Sequence, residues 1–227
     1  MIDVLILCGG YGTRFNVRKK KINKPLVLIN NKTILEHILR QYDENNCRFL
    51  ILGGYKFKDL KKYIFENFKN KNILVLNTGL KTPTAGRILK AKKFIKSDVF
   101  CVTYGDSLVN YNFRKAMKLK KSNNFIISVH KKFSLYGVIK KNSTKITNIE
   151  EKKSFNYINA GFYIFDKNIF KFIKSKKDKL EVDVFRRVLK SKYKFKEFYV
   201  SKWFPMDTPG NKIDLEILLK KNKNYFE

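Results

Sequence analysis

Ile2-Asp3-Val4-Leu5-Ile6-Leu7-Cys8-Gly9-Gly10-Tyr11-Gly12-Thr13-Arg14-Phe15 stands at the start of the chain, and its reading decides the fold. Residues 2–7 form a short apolar run that ends in glycines, the pattern of a buried strand. The three glycines let the backbone turn tightly and bring its N–H groups close to an anion such as a phosphate. No Gly-Lys-Ser/Thr follows, so this is not a Walker loop. Nor is it a dinucleotide fingerprint, because Phe15 stands where the third glycine would be. Arg14 sits inside the loop instead, where a guanidinium can grip a polyphosphate bidentately. A plain glycine turn after a strand is the alternative.

Outward from this stretch, apolar periodicity alternates strands with helices. Residues 33–42 read as an amphipathic helix with Ile34, Leu35, Ile38 and Leu39 on one face. Strands are expected at 48–52, 73–76, 99–103 and 125–130, with helices between them at 58–68, 86–95 and 112–121. This βαβα order implies an α/β fold, a mainly parallel sheet with helices on both faces. The rhythm then changes. Residues 137–140, 146–150 and 161–165 are short β segments with no helix between them, which suggests a small antiparallel region. Helices are expected at 168–173, 182–190 and 212–221, a strand at 196–200, and a loop at 203–209. The length of 227 residues suits a single domain over 1–227.

Composition narrows the class. Apolar residues make up 44% of the chain, enough for a substantial core. No apolar run reaches the roughly 18 residues of a membrane span, and Val4-Leu5-Ile6-Leu7 is too short for a signal peptide. Cys8, Cys47 and Cys101 show no CxxC or Cys/His cluster, so neither a disulfide framework nor zinc is indicated; reduced thiols in a cytoplasmic protein are expected. The net charge of +31 could mark a nucleic-acid partner. The lysines are scattered over the whole length, however, which reads as a solvated surface that also collects anionic substrates. No nucleic-acid or membrane partner is expected.

Further residues carry chemistry. Lys24-Pro25-Leu26 places a lysine, held by a proline, ten residues after Arg14. Tyr104-Gly105-Asp106 closes a strand at the sheet edge where α/β ligands bind, and an Asp there suits Mg²⁺ or caps a turn. Asp207, in Trp203-Phe204-Pro205-Met206-Asp207-Thr208-Pro209-Gly210, is a second isolated acid that could share one metal or cap the last helix, although Asn211 is better placed for the cap. Thr84-Ala85-Gly86-Arg87 opens a helix, a natural spot for an anion or a base. His37 and His130 have no nucleophile or metal partner in view.

Together these residues resemble the sugar-phosphate nucleotidyltransferase family. LCGGYGTRF followed by KPL looks like its nucleotide signature, and TAGRILKAKKFI, FCVTYGD, INAGFYIF and WFPMDTPGNKIDLEIL resemble segments of its glucose-1-phosphate cytidylyltransferase branch in order. The resemblance implies a Rossmann-like three-layer nucleotidyltransferase fold, with 1–130 the nucleotide-binding part and 131–227 the acceptor-binding and C-terminal part. It implies transfer of CMP from CTP, or of another NMP from its NTP, to a sugar 1-phosphate or another phosphorylated small-molecule acceptor, in polysaccharide biosynthesis. Leu7, Gly9, Gly10, Gly12, Thr13, Arg14, Lys24, Thr84, Gly86, Arg87 and Asp106 would then bind the nucleotide, with Arg14 and Lys24 catalytic. Asp106 and Asp207 would hold Mg²⁺, and Tyr104, Lys152, Asn159, Gly161 and Glu181 would face the acceptor. The chain departs from the branch in three places. It nearly lacks an insertion before the segment matching 76–87 that serves assembly there, so a homo-oligomer stays an open alternative. It has Glu151-Lys152-Lys153 for the usual Glu-Lys-Pro, and Ser134 and Leu135 where an arginine is expected.

Overall fold

The computed structural model describes residues 1–12, 15, 23–42, 46–69, 72–110, 112–134, 137–151 and 155–222. The expected opening strand is β1, Ile2–Cys8. A 3₁₀ turn, Lys24–Leu26, leads into the hairpin of β2, Leu28–Ile29, and β3, Lys32–Thr33. Then follow α1 (Ile34–Arg40), β4 (Cys47–Gly53), α2 (Phe57–Asn67), β5 (Ile73–Asn77), α3 (Thr84–Ala91), β6 (Val99–Tyr104), β7 (Ser107–Val109) and α4 (Phe113–Lys118). The second half holds β8 (Asn124–Phe133), β9 (Val138–Asn142), β10 (Lys145–Glu150), β11 (Phe155–Asp166), α5 (Phe185–Leu189), β12 (Lys194–Tyr199), β13 (Trp203–Pro205) and α6 (Pro209–Lys221).

Seven strands form one sheet in the order β12-β8-β11-β6-β1-β4-β5. Every neighbouring pair in it is parallel except those of β11, which runs antiparallel to both β6 and β8. The strands alternate large apolar residues toward two cores. Val4, Ile6, Phe49 and Ile51 meet α1, α2, α4 and α6 on one face. Leu5, Leu7, Leu50, Leu52, Phe100 and Val102 meet α3 and α5 on the other. Cover on both faces explains why β1 and β4 read as continuous apolar runs.

Four expectations are corrected. Residues 161–165 do not sit in a separate antiparallel patch; they belong to β11, in the middle of the main sheet. Of the three expected segments, 137–140 and 146–150 do form a detached antiparallel ribbon, as β9 and β10. Residues 168–173 give a 3₁₀ turn, Lys167–Lys171, and the helix expected at 182–190 begins as a π-helical turn, Leu180–Val184, before α5. The stretch 203–209 is not all loop, because β13 pairs antiparallel with β7.

One buried ion pair ties β1 to β4 beneath these layers. The Asp3 carboxylate accepts from Arg48 Nε at 2.6 Å and from the backbone N–H groups of Lys96 at 2.6 Å and Ser97 at 2.9 Å. Burial pushes the Asp3 carboxyl upward, but Arg48 and the Ser97 and Lys96 amides outweigh it, and its pKa lies below the ordinary value. A depressed folded pKa contributes stability above the unfolded value, lost as pH falls through the folded one. Asp3→Asn is therefore expected to destabilise the fold by about 2–4 kcal/mol at pH 7, with the difference from wild type shrinking below pH ~4. Urea melts at pH 7 and pH 3 check this; an equal difference at both values would contradict it.

Candidate active site

The glycine loop leaves β1 at the carboxyl edge of the sheet, where open α/β folds bind ligands. Arg87 braces it from α3. Its guanidinium donates to the carbonyls of Gly9 at 2.8 Å, Gly53 at 3.1 Å and Gly79 at 2.9 Å, and to the Thr78 hydroxyl at 2.5 Å. A Cβ on Gly9 would lie 2.0 Å from Arg87 Nη1, so only glycine lets the loop rest on the guanidinium. Gly12 adopts φ +62°, and a Cβ there would come within 3.0 Å of the Lys24 side chain. The loop thus folds over Lys24.

Lys24 is buried in its 3₁₀ turn, with Pro25 at the next position. Its ammonium donates to Asp106 Oδ2 at 3.2 Å and to Asp207 Oδ1 at 3.1 Å. Strand pairing brings the two acids together. In the β7–β13 register Ser107 faces Pro205, and one step outward Met206 N donates to the Asp106 carbonyl at 2.9 Å. Asp207 is not the helix cap. Thr208 caps α6, and Asn211 closes the capping box as its third residue, which corrects the cap position expected for Asn211. The Asp207 carboxylate is left to face Lys24 and Asp106.

Leu7, Cys8, Gly10, Gly12, Lys24, Pro25, Gly105 and Asp106 line a cavity of about 170 Å³. Burial, reinforced by Asp106, pushes the Cys8 thiol far up, so it stays protonated and is no nucleophile. Among the described residues no cluster of three or more His, Cys, Asp or Glu could hold a metal by protein ligands alone. Two carboxylates beside a phosphate-sized cavity do fit Mg²⁺, which takes one or two carboxylates and completes its shell with water and substrate phosphates.

A second set of expected residues meets on the face shared by α3 and α5. Tyr104 OH donates to Glu181 Oε1, and Tyr163 OH donates to the same oxygen at 3.2 Å. Asn159 Nδ2 donates to Tyr163 OH at 2.6 Å, and Gly161 N donates to Asn159 Oδ1 at 3.0 Å. Gly161 sits at φ +80° in a bulge of β11, where a Cβ would strike the Tyr104 ring at 2.5 Å. The π-helical turn aims Glu181 at both phenols. Burial, with the neighbouring phenol and Glu181, raises the Tyr104 pKa; burial with Glu181 raises that of Tyr163. Both stay protonated donors. Tyr163 is the residue that sequence reasoning missed, although it lies within INAGFYIF, two positions beyond Gly161.

The remaining expected residues are placed as follows. Thr84 Oγ1 accepts from Leu180 N at 2.8 Å. A Cβ on Gly86 would lie 2.0 Å from the Lys176 carbonyl, so the start of α3 is locked to the segment that carries Glu181. Arg87 is buried with its donors on the protein. Thr13, Arg14 and Lys152 lie outside the described residues.

The nucleotidyl transferase family model matches residues 3–215, which spans the glycine loop, Lys24 and both aspartates. The chain belongs to this family of enzymes. A nucleotidyl transferase of Bacillus subtilis (strain 168), "Probable glucose-1-phosphate cytidylyltransferase", is 31% identical over 197 residues, 76% of this chain and 78% of that one. The "D-glycero-alpha-D-manno-heptose 1-phosphate guanylyltransferase" of Campylobacter jejuni is 30% identical over 174 residues, 74% of this chain and 78% of its own length. Among solved structures, HddC from Yersinia pseudotuberculosis complexed with GMP-PN shares the fold with TM-score 0.75 at 23% identity, covering 96% of this chain and 100% of that one. The Bacillus subtilis and Campylobacter jejuni relatives are both named for sugar 1-phosphate substrates. Among the described residues of this chain no helix is long and apolar enough to cross a membrane.

Proposed function

We propose that this chain transfers CMP from CTP to a sugar 1-phosphate of the glucose 1-phosphate type and releases pyrophosphate, with Mg²⁺ as cofactor. The observation that carries the reading is Lys24 held between Asp106 and Asp207 beside the glycine-lined cavity. A phosphate oxygen of the acceptor attacks the α-phosphorus of the NTP; a P–O bond forms there as the bond to pyrophosphate breaks. That oxygen is largely ionised near neutral pH, because the second pKa of a phosphate monoester is about 6, so no general base is required. The glycine-loop amides hold the polyphosphate, and Lys24 and Arg14 neutralise charge as pyrophosphate leaves. Asp106 and Asp207 would hold the metal, which would supply positive charge against that of the phosphates. The Asn159–Tyr163–Glu181–Tyr104 chain orients the acceptor hydroxyls, and the family resemblance assigns Lys152 to its phosphate.

Support for CTP comes from the TYGD and PMDT segments and from the name of the Bacillus subtilis relative. The Campylobacter jejuni relative favours a second reading, GTP with a heptose 1-phosphate. A non-sugar phosphorylated acceptor is the remaining alternative. A cytoplasmic setting and independence of nucleic acid belong to the same proposal. The test is pyrophosphate release from CTP, GTP, UTP and dTTP, each with glucose 1-phosphate, a heptose 1-phosphate and phosphocholine, with and without Mg²⁺. CTP with a sugar 1-phosphate is expected to lead, and EDTA to abolish release. A higher kcat/KM with GTP and heptose 1-phosphate would replace this reading with the second.

A further inference from the structure

Strands β8 and β11 run past the carboxyl edge of the sheet as a two-stranded arm. Its register pairs Phe155 with Phe133, Tyr157 with Lys131 and Asn159 with Val129. Directly paired residues and those two apart share a face, so Phe133, Lys131, Phe155 and Tyr157 lie on the same face as Asn159. Three large aromatics on this face remain in solvent: Tyr157 is 63% exposed, Phe133 53% and Phe155 40%. They are held in order all the same. Phe133 and Phe155 meet edge to face at 6.0 Å, as do Phe155 and Tyr157 at 5.5 Å. Lys131 Nζ lies 3.7 Å from the Phe155 ring centre and 5.2 Å from that of Phe133. None of the three rings belongs to a core cluster. A contiguous exposed apolar patch of this kind marks a binding surface.

We propose that the acceptor crevice continues along this arm as an aromatic shelf, and that the preferred acceptor is a sugar phosphate bearing a substituent or second ring that reaches Tyr157. The inference rests on the sugar-phosphate reading above. At a rise of about 3.3 Å per residue, Tyr157 stands about 7 Å beyond Asn159 and Phe155 about 13 Å. A single hexose ring hydrogen-bonded at Asn159 leaves the shelf bare, whereas an added group covers it. Sugars suit such a surface, since their hydroxyls answer Asn159 and their C–H faces pack on aromatic rings. Among the described residues the paired strands carry one lysine on this face, itself drawn onto two rings, which is too little charge to follow a nucleic-acid backbone.

The test compares glucose 1-phosphate with N-acetylglucosamine 1-phosphate, maltose 1-phosphate and isomaltose 1-phosphate, substituted at C2, C4 and C6. Wild type and the double variant Tyr157→Ala/Phe155→Ala are assayed by pyrophosphate release. The variant is expected to raise KM about tenfold for at least one substituted acceptor, the loss of one to two stacking contacts, with kcat unchanged and glucose 1-phosphate kinetics unaffected. Tyr157→Phe keeps the ring and restores that KM. Equal KM values in wild type and variant for every substituted acceptor would overturn the shelf. So would a fall in sedimenting mass from dimer to monomer in the variant, which would make the rings an interface between copies. Failure of every acceptor in both proteins, glucose 1-phosphate included, would instead remove the activity reading and this inference with it.

Discussion

Asp106→Asn and Asp207→Asn each lower kcat for pyrophosphate release by about 10²–10³-fold or more, while the proteins melt within a few degrees of wild type. Each substitution keeps the side-chain size and removes one of the two charges that face Lys24. Neither residue is required to start α6, since Thr208 and Asn211 cap it, and neither side chain fills either core. The loss therefore falls on charge at the cavity rather than on folding. Titration of Mn²⁺ by paramagnetic resonance adds a readout independent of turnover, with affinity expected to fall in both variants. Either variant with near-wild-type release in the presence of Mg²⁺ would remove the metal assignment.

Arg87→Ala is expected to destabilise the protein by about 3–5 kcal/mol, a drop of roughly 10 °C in Tm for a chain of this size. The substitution takes one donor from each of the carbonyls of Gly9, Gly53 and Gly79 and leaves a cavity under the glycine loop. Arg87→Lys restores little, because an ammonium cannot spread planar donors over acceptors on three sides. KM for the nucleotide should rise as well, because the loop loses its support. Calorimetry beside NTP kinetics separates two roles. A raised KM at unchanged Tm would make Arg87 a direct nucleotide ligand, as the family resemblance implies.

Much of the site is legible in sequence because its signals are local. A six-residue apolar run closed by glycines, a lysine fixed by Pro25, and an Asp at the end of a strand each state their chemistry within a few residues. Asn159, Gly161, Tyr104 and Glu181, taken from the resemblance, meet in one hydrogen-bonded chain. The period of side chains in a strand is the same in parallel and antiparallel pairs, so nothing local shows that β11 slots between β6 and β8. Arg87 looks like an anion ligand at the start of a helix. Only the packing of α3 against β1 and β4 turns its guanidinium inward onto carbonyls.

By itself, then, the sequence determined the alternation of elements, the glycine loop and the residue types of the site. The tertiary structure decided which of them meet. Asp106 and Asp207 lie far apart in the chain, and the pairing of β7 with β13, three residues each, sets them on one ammonium. Two strands so short carry no alternation to read, and their register comes from the core that the rest of the chain packs beneath them.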